Sequence, residues 1–249
     1  MRMLVFLFVA LYSMISIAAD QVAASPASPP STPPAANTPK LESIGQVIWA
    51  KGQVSATLPN QEKRILSRKA EVYKEDTVES DKTGTAQINL TDGTLLAIAV
   101  NTKIQFEKYN YDKKDTSKDN YVTNLAKGGL RTITGEIGKH NPQETQTKTP
   151  VATLTTLGTD YSVIVKKNND TLISVKVGKI IAKNQKGQVI ELGRFDQRFA
   201  MISAANQNIT ILKSMPSDFD KLNTTKFETN DLNKGSHMTG GGGGFCVGK

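Results

Sequence analysis

Residues 85–100 read Thr-Ala-Gln-Ile-Asn-Leu-Thr-Asp-Gly-Thr-Leu-Leu-Ala-Ile-Ala-Val. Every second residue from Ala86 to Leu90 is apolar, and polar residues stand between them. Because successive side chains of a strand point to opposite faces, this alternation predicts a strand with one buried face. Asp92-Gly93 then predicts a hairpin turn, since both residues tolerate positive φ. Leu95–Val100 is apolar throughout, which predicts a second strand that is buried on both faces or lies at the centre of the sheet.

The same pattern of alternating apolar residues and turn residues recurs along the chain after this hairpin. Alternating apolar residues in 161–165 and 173–177 flank the turn residues Asn168-Asn169-Asp170, and another hairpin is predicted to turn at Lys186-Gly187. We expect Val177 to continue the buried face of its strand. Short strands separated by turn residues at intervals of about 8–12 positions predict an all-β domain with little helix.

The N-terminus has the layout of a secretory signal peptide. Met1-Arg2 gives a positive start, an unbroken apolar stretch follows to Tyr12, and small residues precede a cut after Ala18 or Ala19. We therefore predict a signal peptide over 1–19 and an exported protein, periplasmic or secreted. The alternative is an uncleaved anchor, because the apolar run is at the low end of a membrane-spanning length. In that case only this segment would contact the membrane.

Composition divides the rest of the chain into three parts. Residues 20–40 are mostly Ala, Ser, Pro and Thr, which predicts a disordered spacer with extended polyproline II character. Residues 41–212 carry the strand pattern and are predicted to form one all-β domain. Residues 213–249 begin with the signal for a short helix at Pro216 and end in a glycine-rich tail.

The tail holds the chain's single cysteine, Cys246. One cysteine excludes an intramolecular disulfide and a Cys-based zinc finger. Outside the cytoplasm a lone thiol can pair only with another chain or with a small thiol. We expect Cys246 either to form an intermolecular disulfide or to be an inert part of the terminus.

The charge balance bears on possible partners. The chain has 31 Lys and Arg against 23 Asp and Glu, a net charge of +8. The basic residues are spread along the chain and only 6% of the residues are aromatic, whereas nucleic-acid surfaces cluster both kinds. We predict no nucleic-acid binding, and a weak, salt-sensitive attraction to anionic envelope surfaces.

Candidate catalytic and metal-binding residues are few. His140 lies in a turn-like stretch and His237 in the tail, and no nucleophile motif accompanies either of them. Asp112, Asp115 and Asp119 crowd one loop, but lysines alternate with them, and the central Gly and terminal Glu of a calcium loop are missing. The sequence therefore favours a protein that is not an enzyme and has no cofactor or metal site.

The order of the motifs resembles the FecR domain, the envelope-side domain of a bacterial signalling family. The resemblance runs from about Gly45 to Gly193 and implies an all-β fold of short antiparallel strands, solenoid-like or a twisted sandwich, with the first two motifs forming an opening hairpin. The motifs are Gly45-Gln46-Val47, Gly52-Gln53-Val54, Asp76-Thr77-Val78, Ala86–Leu90, Asp92-Gly93-Thr94, Leu125, Gly128, Arg131, Gly135, Thr149-Pro150-Val151-Ala152, Gly158-Thr159-Asp160-Tyr161 and Val175–Ile180.

Two departures limit what the resemblance implies. The family commonly has Arg before its Gly-Thr pair, where this chain has Leu157, so a role tied to that Arg is in doubt. Family members that regulate sigma factors carry a cytoplasmic domain before a transmembrane helix, and here only Met1-Arg2 precede the apolar run. We therefore expect this chain to share the fold and the compartment of the family. We do not expect it to share the regulation of sigma factors.

Two functions fit these observations. The first is a non-catalytic binding or scaffold module of the bacterial envelope, which would use an open strand edge or the loops at one end of the sheet. Its partner would be an envelope protein, a polymer or a second copy of the chain. The second is an envelope-side component of signal transduction that acts through a partner protein. Cleavage after Ala18 or Ala19 favours the first function, and an uncleaved anchor favours the second.

Overall fold

The computed structural model describes residues 41–193 and 196–227. Within them the chain forms fifteen strands, and the prediction of an all-β fold with little helix is confirmed. The strands are Ser43–Lys51 (β1), Val54–Thr57 (β2), Arg64–Ile65 (β3), Glu71–Tyr73 (β4), Thr77–Ser80 (β5), Thr85–Leu90 (β6), Leu95–Ile98 (β7), Lys103–Asn110 (β8), Asn120–Ile133 (β9), Thr145–Lys148 (β10), Ala152–Val165 (β11), Thr171–Asn184 (β12), Val189–Leu192 (β13), Phe199–Ile202 (β14) and Ile209–Leu212 (β15). The helices are Glu136–His140 (α1) and Asp220–Asn223 (α2), with single 3₁₀ turns at Thr116–Lys118, Pro142–Glu144 and Ser217–Phe219.

Hydrogen bonds join these strands into one branched sheet, whose main path runs β15-β14-β12-β11-β10-β9-β7-β6-β1-β4. Three long strands, β9, β11 and β12, form the middle of this path with 14 residues each. The pairing of β9 with β10 is parallel, and the other pairings are antiparallel. The sheet is therefore mixed and has a long-stranded centre, where the resemblance implied short antiparallel strands alone.

The predicted central hairpin is β6 and β7. The two strands pair antiparallel from Ala86 opposite Ile98 to Asn89 opposite Leu95, and β7 lies between β6 and β9. Burial on both sides is confirmed for residues 96–98, which are at most 3% exposed. The extension of this buried strand to Val100 is wrong: Val100 is 40% exposed, because the chain leaves the sheet and turns at Asn101, which has a φ of 54°.

The long strand β12 turns a corner at Gly178. This glycine has a φ of 80°, and a Cβ there would lie 2.3 Å from the carbonyl oxygen of Gly158 on β11. Only glycine fits a left-handed backbone held this close to another main chain. The register of β11 and β12 shifts at this corner, so Val177 points outward and is 61% exposed. The expectation that Val177 continues the buried face is therefore wrong.

The opening hairpin implied by the resemblance is also wrong. β1 pairs with β4 and β6, whereas β2 pairs with β3 and β5, so the first two motifs lie on different branches of the sheet. Gly52 causes the separation, since its φ of 68° redirects the chain between the two strands. A Cβ at Gly52 would lie 2.3 Å from the carbonyl oxygen of Thr83 in the neighbouring β5–β6 turn.

One face of the central strands carries the core. Side by side on neighbouring strands lie six apolar residues, none more than 2% exposed: Ala86, Ile98, Leu130, Val163, Ile173 and Ala200. The next position in this row is Ile211 on β15, which is 38% exposed. This row of core residues thus ends at β15, a strand that pairs with a neighbouring strand on one side only.

Candidate interaction surface

Several residues singled out by the sequence lie outside the described part of the chain. Ala18 and Ala19 at the predicted cleavage site, His237 and Cys246 are among them. The predictions made for these residues stay predictions.

His140 ends helix α1 on the surface. Its side chain is 47% exposed and its Nε2 lies 3.8 Å from a carboxylate oxygen of Glu136. The nearer partner of that carboxylate is Lys139, at 2.7 Å, and this pair lowers the pKa of Glu136. His140 therefore takes part in a surface charge cluster on a short helix.

The three loop aspartates serve the local backbone. Asp115 accepts hydrogen bonds from the amide and hydroxyl of Ser117, and Asp112 accepts one from the amide of Lys114. Asp119 is buried and accepts a hydrogen bond from the amide of Asp112. No group of three or more His, Cys, Asp or Glu residues that could hold a metal ion occurs in residues 41–193 and 196–227. Among the same residues no helix is long and apolar enough to cross a membrane.

The predicted turn at Asp92-Gly93 contains a buried carboxylate. Asp92 is 3% exposed and accepts hydrogen bonds from the hydroxyls of Thr94 and Tyr109. Burial, with the charge of Asp92 nearby, raises the pKa of the Tyr109 hydroxyl. The Asp92 carboxylate therefore has a structural role, because its hydrogen bonds stabilise the turn and join it to Tyr109 on β8.

Two strands at the C-terminal end of the sheet have an open edge. β15 pairs only with β14, and β13 pairs only with β12. The turn bond from the amide of Ser203 to the carbonyl of Asn208 sets the alternation of hydrogen bonds in the β14–β15 hairpin. In an antiparallel pair, every second residue directs its N–H and C=O away from its partner strand. On β15 these outward residues are Ile209 and Ile211.

The same alternation applies to β13. The amide of Asn184 donates to the carbonyl of Gln188 across the turn before β13. The next residue, Val189, therefore directs its main-chain groups away from β12. Its side chain is 61% exposed.

The two open edges border one cleft. It has a volume of about 490 Å³ and is lined by residues 188–190 of one hairpin and 208–210 of the other. Side-chain hydrogen bonds join the two hairpin turns: Asn184 donates to the carbonyl of Gln207 at 2.7 Å, and Lys186 donates to the carbonyl of Asn206 at 2.9 Å. Ile190 and Ile209, which line this cleft, also pack against the core. The turns thus hold the two strand edges next to each other.

This arrangement offers unpaired main-chain groups that an extended polypeptide could hydrogen-bond. An incoming strand would find outward N–H and C=O groups on β15 and β13, and apolar side chains beside them. The lining residues are Gln188, Val189, Ile190, Asn208, Ile209 and Thr210, and none of them is titratable. The sequence predicted an open edge without locating it, because the edge depends on which strands pair. Alternating residues in 199–202 and 209–212 are the signal that could have indicated β14 and β15.

Comparison with known proteins gives a family match to the centre of the chain. Residues 76–180 match the family model described as FecR protein. That match includes the motifs from Asp76 onward and ends within β12, before β13 and β15. No curated protein matches the chain.

Two solved structures are similar to parts of the chain. Both are crystal structures of a protein from Parabacteroides distasonis ATCC 8503 that is described as a candidate anti-sigma factor, at resolutions of 2.50 and 1.65 Å. Their TM-scores are 0.45 and 0.43 at 16% and 15% identity, and each comparison covers 55% of this chain and 59% of the other. This chain thus spans less than two thirds of that protein.

Proposed function

We propose that the protein, whose residues 76–180 match the FecR family model, is an exported, non-catalytic binding module of the bacterial cell envelope. It holds an extended segment of a partner protein against the open edges of β13 and β15. The domain is presented outside the cytoplasm by the signal peptide over 1–19 and the proline-rich spacer over 20–40.

The pair of open edges around one cleft carries this proposal. A single exposed edge is common, and proteins usually blunt it with charge, proline or a covering loop. Here both edges have exposed apolar side chains: Val189 on β13 is 61% exposed and Ile211 on β15 is 38% exposed. Main-chain hydrogen bonds supply affinity for an added strand, and the neighbouring side chains supply selectivity.

The chemistry of the cleft favours binding over catalysis. A hydrolytic or transfer site needs a nucleophile, a base or a metal placed beside the substrate. Amides, one hydroxyl and three aliphatic side chains line the cleft. These groups can orient a polypeptide but provide no acid, base or redox centre.

Proline substitution tests the edge directly. Ile211→Pro removes one outward N–H of β15, and a proline whose missing N–H faces solvent is tolerated on an edge strand. The matched control Ile211→Val keeps the N–H and most of the apolar surface. We expect tagged Ile211→Pro protein to lose the partner that wild type and Ile211→Val retain from envelope fractions, while its melting temperature stays close to wild type. Equal retention by all three folded proteins would contradict the proposal.

A signalling component is the second candidate function, and the match of residues 76–180 to the FecR model favours it. N-terminal sequencing of the protein from its native envelope separates the two. A mature terminus at Ala19 or Asp20 supports the released module. An intact apolar run supports a tethered component that acts through a membrane partner.

Self-association through Cys246 is a separate part of the proposal. An intermolecular disulfide at this residue would give a dimer band on non-reducing gels that disappears with reductant and in Cys246→Ser. A dimer that persists in Cys246→Ser would instead indicate association through the folded domain.

A further inference from the structure

A row of polar side chains crosses the sheet on the face opposite the core. Gln87, Arg131, Ser162 and Ser174 occupy consecutive register positions on β6, β9, β11 and β12, with Ala97 of β7 between the first two. All four polar residues are at most 5% exposed. We call them the polar row. Burying so many hydrogen-bonding groups is costly unless each of them is satisfied.

Residues 216–227, which we call the strap, lie over the polar row and satisfy it. Arg131 donates to the carbonyl oxygens of Thr225 at 2.7 Å and Asn223 at 3.4 Å, and its guanidinium carbon stands 5.4 Å from the centre of the Phe227 ring. On its other side Arg131 forms two hydrogen bonds of 2.9 Å with Asp160. Arg131 is thus held in place by the sheet and directed at the strap.

The remaining members of the polar row make matching contacts. Gln87 donates to the carbonyl oxygen of Lys226 at 2.9 Å. Ser162 donates to the side-chain oxygen of Asn223 at 2.6 Å, and the amide nitrogen of Asn223 donates to Ser174 at 3.1 Å. The polar row therefore recognises main-chain carbonyls and one asparagine, which are features that a segment of another protein can also present.

Two buried apolar side chains, Phe219 and Leu222, anchor the strap and are 0% and 5% exposed. The chain reaches the strap from β15 through Lys213, Ser214 and Met215, which are all exposed. Beside the strap an apolar cavity of about 200 Å³, lined by Trp49, Ala97, Val100, Leu222 and Thr225 among others, is left unfilled.

From this fit we propose that the polar row is a peptide-binding site which the strap occupies as an intramolecular ligand. A segment of a partner protein takes its place when it offers consecutive carbonyls, an asparagine at the position of Asn223 and a bulky apolar residue at the position of Thr225. That last side chain would fill the cavity. This site lies on the face opposite the core and is independent of the β13–β15 edges.

Labelled peptides test the proposal on the full-length protein. The probe is a fluorescent peptide with the sequence of residues 214–227. The receptors are wild type and Leu222→Ala, which loosens the resident strap and leaves the polar row intact. Because apparent affinity scales with the fraction of empty sites, we expect Leu222→Ala to bind the peptide at least ten times more tightly than wild type. Phe219→Ala loosens the other anchor and serves as the second receptor if Leu222→Ala does not fold.

Two changes establish that binding occurs at the polar row. An Asn223→Ala peptide should bind the loosened receptor at least five times more weakly, and a Thr225→Leu peptide more tightly, than the native peptide. Adding Ser162→Ala and Ser174→Ala to the loosened receptor removes both side-chain partners of that asparagine and should abolish the preference for it. Equal affinity of wild type and the loosened receptors, or of the native and Asn223→Ala peptides, would overturn the proposal.

Discussion

At the scale of single residues, the buried ion pair of Arg131 and Asp160 combines two roles. Its side chains are 6% and 13% exposed, and it joins β9 to β11 while directing the guanidinium at the strap. Both residues belong to the motifs that resemble the FecR domain, but the sequence alone does not show that they pair. They are far apart along the chain, and only the register of β9 and β11 brings them together.

Removing one member of this pair should be strongly destabilising. Arg131→Met leaves Asp160 buried without its cation, which typically costs about 3–5 kcal/mol of unfolding free energy. The matched control is Lys139→Met, which breaks the exposed pair with Glu136 and should leave the unfolding free energy close to that of wild type. Urea unfolding of the two variants checks this, and equal losses would contradict the role given to Arg131.

Three buried tyrosines should make the fold sensitive to alkali. Burial raises the pKa of Tyr109, Tyr121 and Tyr161. A group whose folded pKa lies above its unfolded value contributes its full stability below the unfolded pKa, near 10 for tyrosine, and loses it as the pH rises through the folded pKa. We therefore expect the unfolding free energy to fall above a pH of about 10.

Denaturant unfolding between neutral pH and pH 11, at about one pH unit per step, measures this loss. The control is Tyr121→Phe, which removes one of the three ionisations and should make the decline shallower. A free energy that stays constant across the range, or identical slopes for the two proteins, would contradict the account.

At the scale of elements, the alternation of apolar residues and the turn residues predicted local hairpins. The same patterns did not predict how the strands connect and pair over longer distances. The β6–β7 hairpin follows from residues 85–100 alone, because a local pattern and a two-residue turn determine it. The corner at Gly52 separates β1 from β2 and could not be predicted, since it depends on the β5–β6 turn some thirty residues later. The open edges at β13 and β15 could not be located from the sequence for the same reason, because they too depend on which distant strands pair.

The stability cost of replacing a glycine with alanine should distinguish the packed corner at Gly52 from the ordinary turn at Gly93. Gly52 and Gly93 have similar φ values of 68° and 84°, but of the two only Gly52 has main-chain atoms within 4 Å of the place that an added Cβ would take. Gly93→Ala should cost about 1–2 kcal/mol for the left-handed backbone alone. Gly52→Ala must in addition displace the main chain at Thr83, so we expect at least twice that loss in urea unfolding. Equal costs would show that the corner relaxes freely.

At the scale of the whole molecule, the described strands form a sheet with two faces and an open edge at its C-terminal end. One face buries the core, the opposite face holds the strap on the polar row, and the end formed by β13 and β15 offers main-chain groups to a partner. The family match locates the centre of the sheet, and the proposed binding edge lies C-terminal to it. The fold class was predictable from local pattern and the compartment stays a prediction, whereas both proposed binding surfaces depend on long-range pairing.

Site-specific photo-crosslinking in the cells that make the protein shows whether a partner binds at the β13–β15 edges. A photoreactive amino acid is placed at Val189, at Ile211, or at the exposed control position Lys82 in the β5–β6 turn. The account predicts adducts of one common partner from Val189 and Ile211 and none from Lys82. Adducts confined to Lys82, or the same adducts from all three positions, would contradict binding at the β13–β15 edges.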